Sequence, residues 1–327
     1  MLVIAAPGQG AQAPGFLSPW LELPGFADRL AAWSELAGCD LIRYGTTGDA
    51  DEIRDTAVAQ PLLVAAAVAA AEVVTGDPVP AKGLTAVAAG HSVGELAAGA
   101  IAGAITAEDA MRLVRVRASG MAAAAAAEQT GMTAVLGGTE SEVLAAIDKH
   151  GLTPANVNGA GQIVAAGTLE QLAALAADPP AGARLRPLSV AGAFHTRHMA
   201  PAVDALAAAA ARVPAADPAL PLLSDADGAV VRSGADWLQR IIAQVSAPVR
   251  WDACMAGMAE LGATALLELP PAGTLTGLAR RALPGVQLLA LKTPDQLEDA
   301  RSLLAEHAAV QTRPDAAESR REPDARG

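Results

Sequence analysis

The sequence predicts an α/β protein in which helices cover a parallel sheet and a smaller α+β subdomain is inserted into the larger domain. Two patterns predict this class. Strand-like apolar runs alternate with helical patterns through residue 127, and the alternation resumes after residue 192. Between these stretches the strands and helices become shorter and follow one another within about 60 residues. We therefore expect one large catalytic domain, residues 1–127 and 193–305, interrupted by a subdomain of residues 128–192.

The large domain begins with an apolar strand, residues 2–6, which ends in the turn Pro7-Gly8-Gln9-Gly10. Ligands of open α/β sheets bind beside such carboxyl ends of strands. An apolar run at residues 84–89 forms the next strand. The other predicted elements of this domain are helices at 26–36, 60–75, 107–118, 200–212, 236–244, 251–261 and 274–282, and strands at 220–224 and 265–269.

The inserted subdomain has its own pattern. Strands are predicted at residues 133–136, 162–166 and 184–190, and helices at 141–150 and 169–177. This order and size are typical of a ferredoxin-like unit. Beyond the large domain, residues 306–327 alternate in charge without hydrophobic periodicity, which predicts a disordered tail.

Composition and charge exclude several classes of protein. The net charge of −12 argues against nonspecific nucleic-acid binding, which requires a basic face. The longest apolar run, residues 62–71, has about half of the roughly 20 residues that span a bilayer. Residues 1–6 lack the basic segment of a signal peptide. Cys39 and Cys254 fit no metal or redox spacing, so we expect a cytoplasmic protein with reduced thiols.

The most informative motif is Gly90-His91-Ser92-Val93-Gly94. It follows the strand predicted at residues 84–89 and precedes a helical segment, so a sharp turn joins strand to helix. This is the context of the nucleophile elbow in α/β-hydrolase-like domains, where a serine hydroxyl stands exposed on a strained turn. Ser92 is therefore the candidate nucleophile. The alternative is a chance Gly-x-Ser-x-Gly match in a chain with 31 Gly.

A serine nucleophile needs a base, and His195 and His198 lie in a suitable loop that opens a helix after the insertion. Two alternatives remain for this pair: metal ligation by two histidines three residues apart, or a structural role. The structural role is favoured for His198. No third ligand stands at a convincing spacing.

Four motifs in this order resemble the malonyl-CoA:acyl carrier protein transacylases, the acyltransferase family of fatty acid and polyketide synthesis. They are Pro7-Gly8-Gln9-Gly10-Ala11-Gln12, Gly90-His91-Ser92-Val93-Gly94-Glu95, Arg117 at 25 residues after the serine, and Gly192-Ala193-Phe194-His195. The resemblance extends from residue 1 to about residue 305 and includes the inserted subdomain. Four ordered motifs are more specific than any one of them.

The resemblance implies a role for each matched residue. Ser92 matches the nucleophile and His195 the general base and acid, while the backbone N–H groups of Gln9 and Val93 match the oxyanion hole. No acid follows in the order of a hydrolase triad. The family orients its histidine with a backbone carbonyl, and Gln244 stands at the matching place, so a Ser–His dyad is expected.

Arg117 and Phe194 are implied to select the acyl group. A guanidinium can bind a carboxylate through two hydrogen bonds, and a malonyl group differs from an acetyl group by that carboxylate. Without the family spacing, Arg117 would be interpreted as part of a solvated helix face with Arg112 and Arg115. Phe before the histidine accompanies malonyl rather than methylmalonyl in related enzymes, because the ring crowds an α-methyl group.

Two further residues are candidates for substrate binding. Asn158, close to Asn156, resembles the family's Asn-rich turn at the cleft, although turn formation alone would explain both residues. Met121 matches a residue that lines the acyl pocket in relatives, although a Met on a helix commonly belongs to the core.

The implied enzyme is an acyl-carrier-protein S-malonyltransferase with a ping-pong mechanism. It moves malonyl from malonyl-CoA to the phosphopantetheine thiol of acyl carrier protein through malonyl-Ser92 and needs no metal or bound cofactor. The expected partners are the CoA thioester and the carrier protein, without nucleic acid or membrane, and the enzyme is expected to be a monomer. Because the carrier is acidic in this family, a basic patch is predicted near the cleft. Its candidate residues are Arg184, Arg186, Arg197, Arg280 and Arg281.

Two other functions fit part of the pattern. A serine thioesterase would use the same Ser92 and His195 but would give no purpose to Arg117 and Phe194. A noncatalytic docking subunit of a polyketide assembly would not require the serine and the histidine.

Overall fold

The main sheet of the protein is mostly parallel. The computed structural model describes residues 1–76, 78–79 and 84–307. In spatial order, the strands of the main sheet are β11 (Gln287–Ala290), β10 (Ala265–Glu268), β1 (Leu2–Ala6), β2 (Ala86–Gly90), β7 (Leu222–Leu223) and β8 (Val230–Val231). All neighbours are parallel except β7 and β8, which pair antiparallel. The α/β class that the sequence predicts is confirmed.

Helices cover both faces of this sheet. They are α1 (Phe26–Ala37), α2 (Leu41–Thr46), α3 (Thr56–Thr75), α4 (Gly94–Ile101), α5 (Ala107–Ala127), α8 (Val203–Ala210), α9 (Gly234–Gln244), α10 (Trp251–Glu260), α11 (Thr274–Ala282) and α12 (Leu297–His307). Alternate residues of β1 point to opposite faces of the sheet and pack in two different apolar cores. Leu2 and Ile4 pack with α3, α4 and α5, whereas Val3 and Ala5 pack with α10 and α11. The period of two along a strand therefore places β1 between two apolar layers.

Helix α3 lies inside the larger of these cores. By length and composition its 20 residues could span a membrane, but 78% of its most apolar stretch is buried within the protein. It packs against α4 and α5. The apolar surface of α3 is therefore accounted for by the fold.

A second sheet has the spatial order β6 (Ala183–Pro187), β3 (Thr130–Gly137), β5 (Gln162–Thr168), β4 (Thr153–Gly159) and β9 (Val249–Arg250). The first four strands are antiparallel, and the connections include α6 (Glu140–Lys149) and α7 (Leu169–Ala177). β9 lies about 60 residues further along the chain, directly before α10, and pairs parallel to β4. This pairing ties the second sheet to the segment that leads into α10.

Three predictions differ from the structure. Asn156 and Asn158 lie in β4 and not in a turn, and this strand escaped prediction because Asn, Pro and Gly are depleted in strands. The helix predicted at 200–212 is a 3₁₀ segment, Arg197–Ala202, followed by α8, because Pro201 lacks an N–H donor. Helix α12 includes residues 306–307 of the predicted tail, and residues 308–327 lie outside the described residues.

Candidate active site

Ser92 lies on a sharp turn between β2 and α4. Its backbone adopts the left-handed region, with φ at 55°, which a residue other than glycine rarely adopts. The flanking glycines are required by close packing. A Cβ at Gly90 would collide with the backbone of Gly94, and a Cβ at Gly94 would collide with the carbonyl oxygen of Ala6. The turn therefore fits the geometry of a nucleophile elbow at the carboxyl end of the main sheet.

Ser92 and His195 form a hydrogen-bonded pair. Ser92 Oγ lies 2.7 Å from His195 Nε2, and His195 Nδ1 lies 2.7 Å from the carbonyl oxygen of Gln244. Because a carbonyl only accepts, Nδ1 carries the proton and Nε2 is free to accept the serine proton. Burial, and then the charge of Arg117, lowers the pKa of His195 to about 3. The imidazole is therefore neutral near pH 7 and available as a base.

The Arg117 guanidinium lies beside the serine hydroxyl. Its Nη2 is 3.3 Å from Ser92 Oγ and 2.8 Å from Gln244 Oε1, and its Nη1 is 2.7 Å from Gln60 Oε1. The side chain is 1% exposed, and within the part of the chain that the structure describes Nε has no hydrogen-bond partner. Burial lowers the pKa of Arg117 to about 10, so the guanidinium remains charged near pH 7. Arg112 and Arg115 of the same helix are exposed, so the solvated-face interpretation applies to them and not to Arg117.

Gln60 was not recognised from the sequence as a site residue. It is buried in α3, where it accepts a hydrogen bond from Arg117 and donates one to the sulfur of Met121 at 3.5 Å. Met121, 1% exposed, therefore shares Gln60 as a hydrogen-bond partner with Arg117. The available signal was one amide in an otherwise apolar helix, since buried polar groups need partners.

Gln244, at the end of α9, contacts both His195 and Arg117. Its backbone carbonyl accepts from the imidazole, and its side-chain oxygen accepts from the guanidinium. Its side-chain nitrogen lies 2.6 Å from Glu95 Oε2 and 3.0 Å from Asp225 Oδ2. Neither of these buried carboxyl groups was recognised from the sequence as part of the site.

Gln9 and Val93 flank the serine. The turn that contains Gln9 packs against the elbow, because a Cβ at Gly8 would lie 2.8 Å from the carbonyl oxygen of His91. The Gln9 side chain donates to the carbonyl oxygen of Arg54 at 3.2 Å. Among the described residues, no protein group accepts a hydrogen bond from the backbone N–H of Gln9 or Val93. Both N–H groups are therefore available to stabilise an oxyanion.

Asn158 of β4 contacts the residue directly before the nucleophile candidate. Its Oδ1 lies 2.9 Å from Nε2 of His91, whose ring packs edge-on against Trp251 with centroids 5.6 Å apart. The second sheet is thus hydrogen-bonded to the turn that carries Ser92, and the side-chain oxygen of Asn158 has a protein partner. Phe194, directly before the histidine, is 6% exposed.

His198 has a partner other than a metal. Its Nδ1 lies 2.6 Å from Glu128 Oε2, in accord with the structural interpretation. Within residues 1–76, 78–79 and 84–307, no three His, Cys, Asp or Glu side chains are grouped so that they could hold a metal ion.

Comparison with known proteins identifies the family of this fold and site. The model of the acyl transferase domain matches residues 6–303. The chain belongs to the acyl transferase family. It is 54% identical over 303 residues to the malonyl CoA-acyl carrier protein transacylase of Mycobacterium tuberculosis (strain H37Rv), covering 93% of this chain and 100% of that protein. It is 33% identical to the transacylase of Escherichia coli (strain K12), covering 91% and 97%.

Solved structures agree with this placement. The crystal structure of MCAT from Mycobacterium tuberculosis has a TM-score of 0.87 and 53% identity, covering 92% of this chain and 99% of that one. A malonyl-transacylase solved in complex with a type II PKS acyl-carrier protein has a TM-score of 0.83 and 28% identity, covering 92% and 99%. The family membership predicted from four motifs is confirmed.

Proposed function

We propose that this acyltransferase moves a malonyl group from malonyl-CoA to the phosphopantetheine thiol of acyl carrier protein through malonyl-Ser92. The supporting observation is the position of Arg117, whose Nη2 lies 3.3 Å from Ser92 Oγ. A buried, charged guanidinium beside the nucleophile suits an acyl group with its own carboxylate. The relatives that are 54% identical carry the same activity in their names.

The hydrogen bonds of the dyad support the first half of a ping-pong reaction. His195 Nε2 accepts the Ser92 proton as Oγ attacks the thioester carbonyl carbon, and the N–H groups of Gln9 and Val93 stabilise the oxyanion. When the C–S bond breaks, the imidazolium returns the proton to the CoA thiolate. The carrier thiol then reacts with malonyl-Ser92 by the same steps in reverse.

The charges of the site suggest that malonyl assists this proton transfer. The charge of Arg117 is one cause of the low pKa of His195. When the malonyl carboxylate binds Arg117, the two charges offset each other, so the pKa of His195 should rise. A malonyl donor thus makes the base stronger than an acetyl donor does.

We assign the large domain, residues 1–127 and 193–305, as the α/β-hydrolase-like catalytic part, and residues 128–192 as a ferredoxin-like subdomain. The elbow at Ser92 supports the first assignment. The order β3-α6-β4-β5-α7-β6, with antiparallel neighbours, supports the second. Asn158 contributes to the face of the cleft between the two domains.

The proposed carrier protein needs a basic surface on an otherwise acidic enzyme. Arg184, Arg186 and Arg281 line one cavity of about 650 Å³, and no Asp or Glu is among the described residues that line it. Arg197 and Arg280 are exposed but do not line this cavity. We propose that the acidic carrier docks at the basic cavity formed by Arg184, Arg186 and Arg281.

A second cavity borders the basic cavity. Ser189 lines both the basic cavity and a second one of about 660 Å³. Thr56 also lines the second cavity, and its hydroxyl lies 3.5 Å from the Gln9 side-chain nitrogen. We propose that the phosphopantetheine arm enters beside Ser189 and passes through this cavity toward the turn that contains Gln9.

The proposal includes a cytoplasmic, monomeric enzyme that supplies malonyl units for fatty acid or polyketide synthesis. It requires no bound cofactor, because the CoA and phosphopantetheine thiols supply the leaving and accepting groups. Light scattering on the purified protein would test the monomer.

The decisive experiment is the intact mass of the protein after brief exposure to malonyl-CoA. We expect a gain of one malonyl group, its loss in Ser92→Ala, and its discharge on addition of holo carrier protein. Ser119→Ala, an exposed serine on α5, is the matched control and should load normally. Steady release of malonate without transfer to the carrier would favour a thioesterase, and absence of any adduct or turnover would favour a docking subunit.

A further inference from the structure

Two carboxyl groups are buried beneath the nucleophile elbow, and the reaction described above uses neither. Glu95 lies in the first turn of α4 and is 1% exposed, and Asp225 follows β7 and is 0% exposed. A buried carboxyl group is costly unless it is neutral or hydrogen-bonded. Their position next to Ser92 and Gln244 therefore calls for an explanation.

Asp225 contacts the backbone of the nucleophile. Its Oδ2 accepts a hydrogen bond from the Ser92 N–H at 2.6 Å and from Gln244 Nε2 at 3.0 Å. This N–H is distinct from the N–H groups of Gln9 and Val93 that we assign to the oxyanion. The left-handed conformation at Ser92 persists only where neighbouring groups hold it. Asp225 stabilises this backbone conformation of Ser92 without contacting the reacting atoms.

Glu95 contacts the side chain of Gln244. Its Oε2 accepts from Gln244 Nε2 at 2.6 Å and from the Asp225 N–H at 3.3 Å. The other end of the same amide accepts from Arg117, and the backbone carbonyl of Gln244 accepts from His195. Glu95 therefore acts on the guanidinium and the imidazole through one residue.

The two carboxyl groups do not ionise independently. Both lie within hydrogen-bond distance of Gln244 Nε2, and two charges so close together in a buried site repel each other. Burial, and then the charge of Glu95, raises the pKa of Asp225 well above its ordinary value. Burial also raises the pKa of Glu95, to about 7. The upward shift favours the protonated form of Asp225, and a protonated carboxyl group, like an amide, can both accept and donate hydrogen bonds.

We propose that Asp225 is a positioning residue for the Ser92 amide, and that Glu95 is a positioning residue for the Gln244 side chain. The proposal rests on the proposed function and adds two residues to the same site. It makes a specific claim about chemistry: an amide can replace the side chain of Asp225, and an alkyl group of similar size cannot.

The test compares Asp225→Asn with Asp225→Leu in the rate of malonyl loading from malonyl-CoA. Asn retains an oxygen that accepts from the Ser92 N–H and from Gln244 Nε2, so we expect kcat within about three-fold of the wild-type value. Leu leaves the Ser92 N–H without a partner and frees the elbow, so we expect kcat to fall on the order of 100-fold. KM should change less than about three-fold in both, because Arg117 keeps its contacts.

Asp227, two residues along, is the matched control. It is half-exposed and pairs with Arg240, so Asp227→Asn and Asp227→Leu should leave loading unchanged. If Asp225→Asn is as slow as Asp225→Leu, the site requires an ionised carboxylate and the proposal is wrong. The proposal also fails if Leu loads as fast as Asp. Where Asp225→Leu does not fold, as judged by circular dichroism, the result with Asn decides.

Glu95 is tested by Glu95→Gln against Glu95→Leu. Gln keeps an acceptor for Gln244 Nε2 and should load within about five-fold, whereas Leu releases Gln244 and should both lower kcat and raise KM. If Glu95→Leu lowers kcat without raising KM, Glu95 positions the turn at Ser92 rather than the Gln244 side chain, and its assigned role is wrong.

A second readout separates this proposal from the proposed function. A fluorophosphonate labels a nucleophilic serine whatever its natural acyl donor, so its labelling rate at Ser92 reports the elbow alone. If the wild-type protein is labelled by the fluorophosphonate but forms no malonyl adduct, the proposed function is wrong. The labelling rates of the Asp225 variants still test the positioning role in that case. We expect the wild type and Asp225→Asn to be labelled fast and Asp225→Leu to be labelled slowly.

Discussion

The positive charges in the catalytic site and in the basic cavity are held in opposite ways. Arg117 is 1% exposed, and its Nη atoms contact Gln60, Ser92 and Gln244. The three arginines of the basic cavity are exposed, and none of them pairs with a carboxylate among the residues described. A buried guanidinium has a fixed orientation and can bind one small anionic group at one position. Exposed arginine side chains remain mobile and can bind the acidic surface of a partner protein.

Arg117→Ala should show the largest effect, because it removes a buried positive charge that the fold orients beside Ser92. Loss of a buried charge pair costs about 2–5 kcal/mol, so kcat/KM for malonyl loading should fall roughly 10²–10³-fold. Acetyl loading should fall less than about ten-fold, since acetyl offers no carboxylate. Arg117→Lys should recover little of the kcat/KM for malonyl loading, because an ammonium group lacks the planar pair of hydrogen-bond donors of a guanidinium.

Arg112→Ala is the matched control for this variant. Arg112 lies on the same helix, is exposed, and pairs with Asp109, so its removal should leave both acyl donors unchanged. Equal losses for malonyl and acetyl in Arg117→Ala would mean that the guanidinium orients Ser92 or Gln244 rather than the malonyl carboxylate.

The catalytic side of this comparison was more predictable from sequence than the contacts that support it. The motif around Ser92 and the loop at His195 carry local signals, namely required glycines and a strand-turn-helix order. The resemblance added Arg117 and Gln244. Gln60, Glu95 and Asp225 carry no such signal, because an amide or acid acquires its role only when long-range packing buries it beside a partner.

The same contrast holds for the fold. β1 and β2 are short, fully buried apolar runs and were predicted, since both faces of a parallel strand are covered. β4 contains two Asn, a Pro and a Gly and was missed, because its pairing with β5 and β9 overrides its low propensity. Propensity is local, whereas strand pairing depends on residues far along the chain.

The buried histidine should make the protein sensitive to acid. The pKa of His195 falls from 6.5 in the unfolded chain to about 3 in the folded one. As the pH falls below 6.5, the unfolded chain takes up a proton that the folded protein does not, so the free energy of unfolding decreases. The slope is about 1.4 kcal/mol per pH unit, which gives roughly 2–3 kcal/mol between pH 8 and pH 4.5.

His195→Asn tests this loss, because Asn tolerates the left-handed φ of 59° at this residue and does not titrate. Urea unfolding at pH 8 and pH 4.5 should show the variant losing roughly 2–3 kcal/mol less than the unchanged protein. Glu95 and Asp225 are common to both proteins, so their contributions cancel in the difference. Parallel pH profiles would mean that the imidazole titrates in the fold as it does in the unfolded chain.

Charge reversal in the basic cavity should have a smaller effect, confined to the carrier protein. Arg186→Glu combined with Arg281→Glu should raise KM for holo carrier protein about ten-fold at low salt, and the difference should shrink as salt is added. Malonyl loading from CoA should not change, because neither residue contacts the dyad. The control is Arg232→Glu. Arg232 is an exposed arginine that follows β8, an edge strand of the main sheet, and it does not line the basic cavity. An unchanged KM in the double variant would place the docking surface elsewhere.

An uncharged part of the site should show an effect of about the same size as the charge reversal. Phe194 is buried directly before His195, and its ring should exclude an α-methyl group by packing alone. Packing against one methyl group provides about 1–3 kcal/mol, so Phe194→Ser should reduce the preference for malonyl-CoA over methylmalonyl-CoA about ten-fold.

Competition between the two donors measures this ratio directly and is independent of how much variant is folded. Phe26→Leu, a buried phenylalanine of α1, controls for a general loosening of the core and should leave the ratio unchanged. The ratio measured for Phe194→Leu should lie between the ratios of the wild type and of Phe194→Ser if side-chain volume is the cause. If the ratio changes as much in Phe26→Leu as in Phe194→Ser, selectivity arises from the rigidity of the whole core. If it changes in neither, the preference for malonyl-CoA over methylmalonyl-CoA depends on residues other than Phe194, because both acyl groups carry the carboxylate that Arg117 would bind.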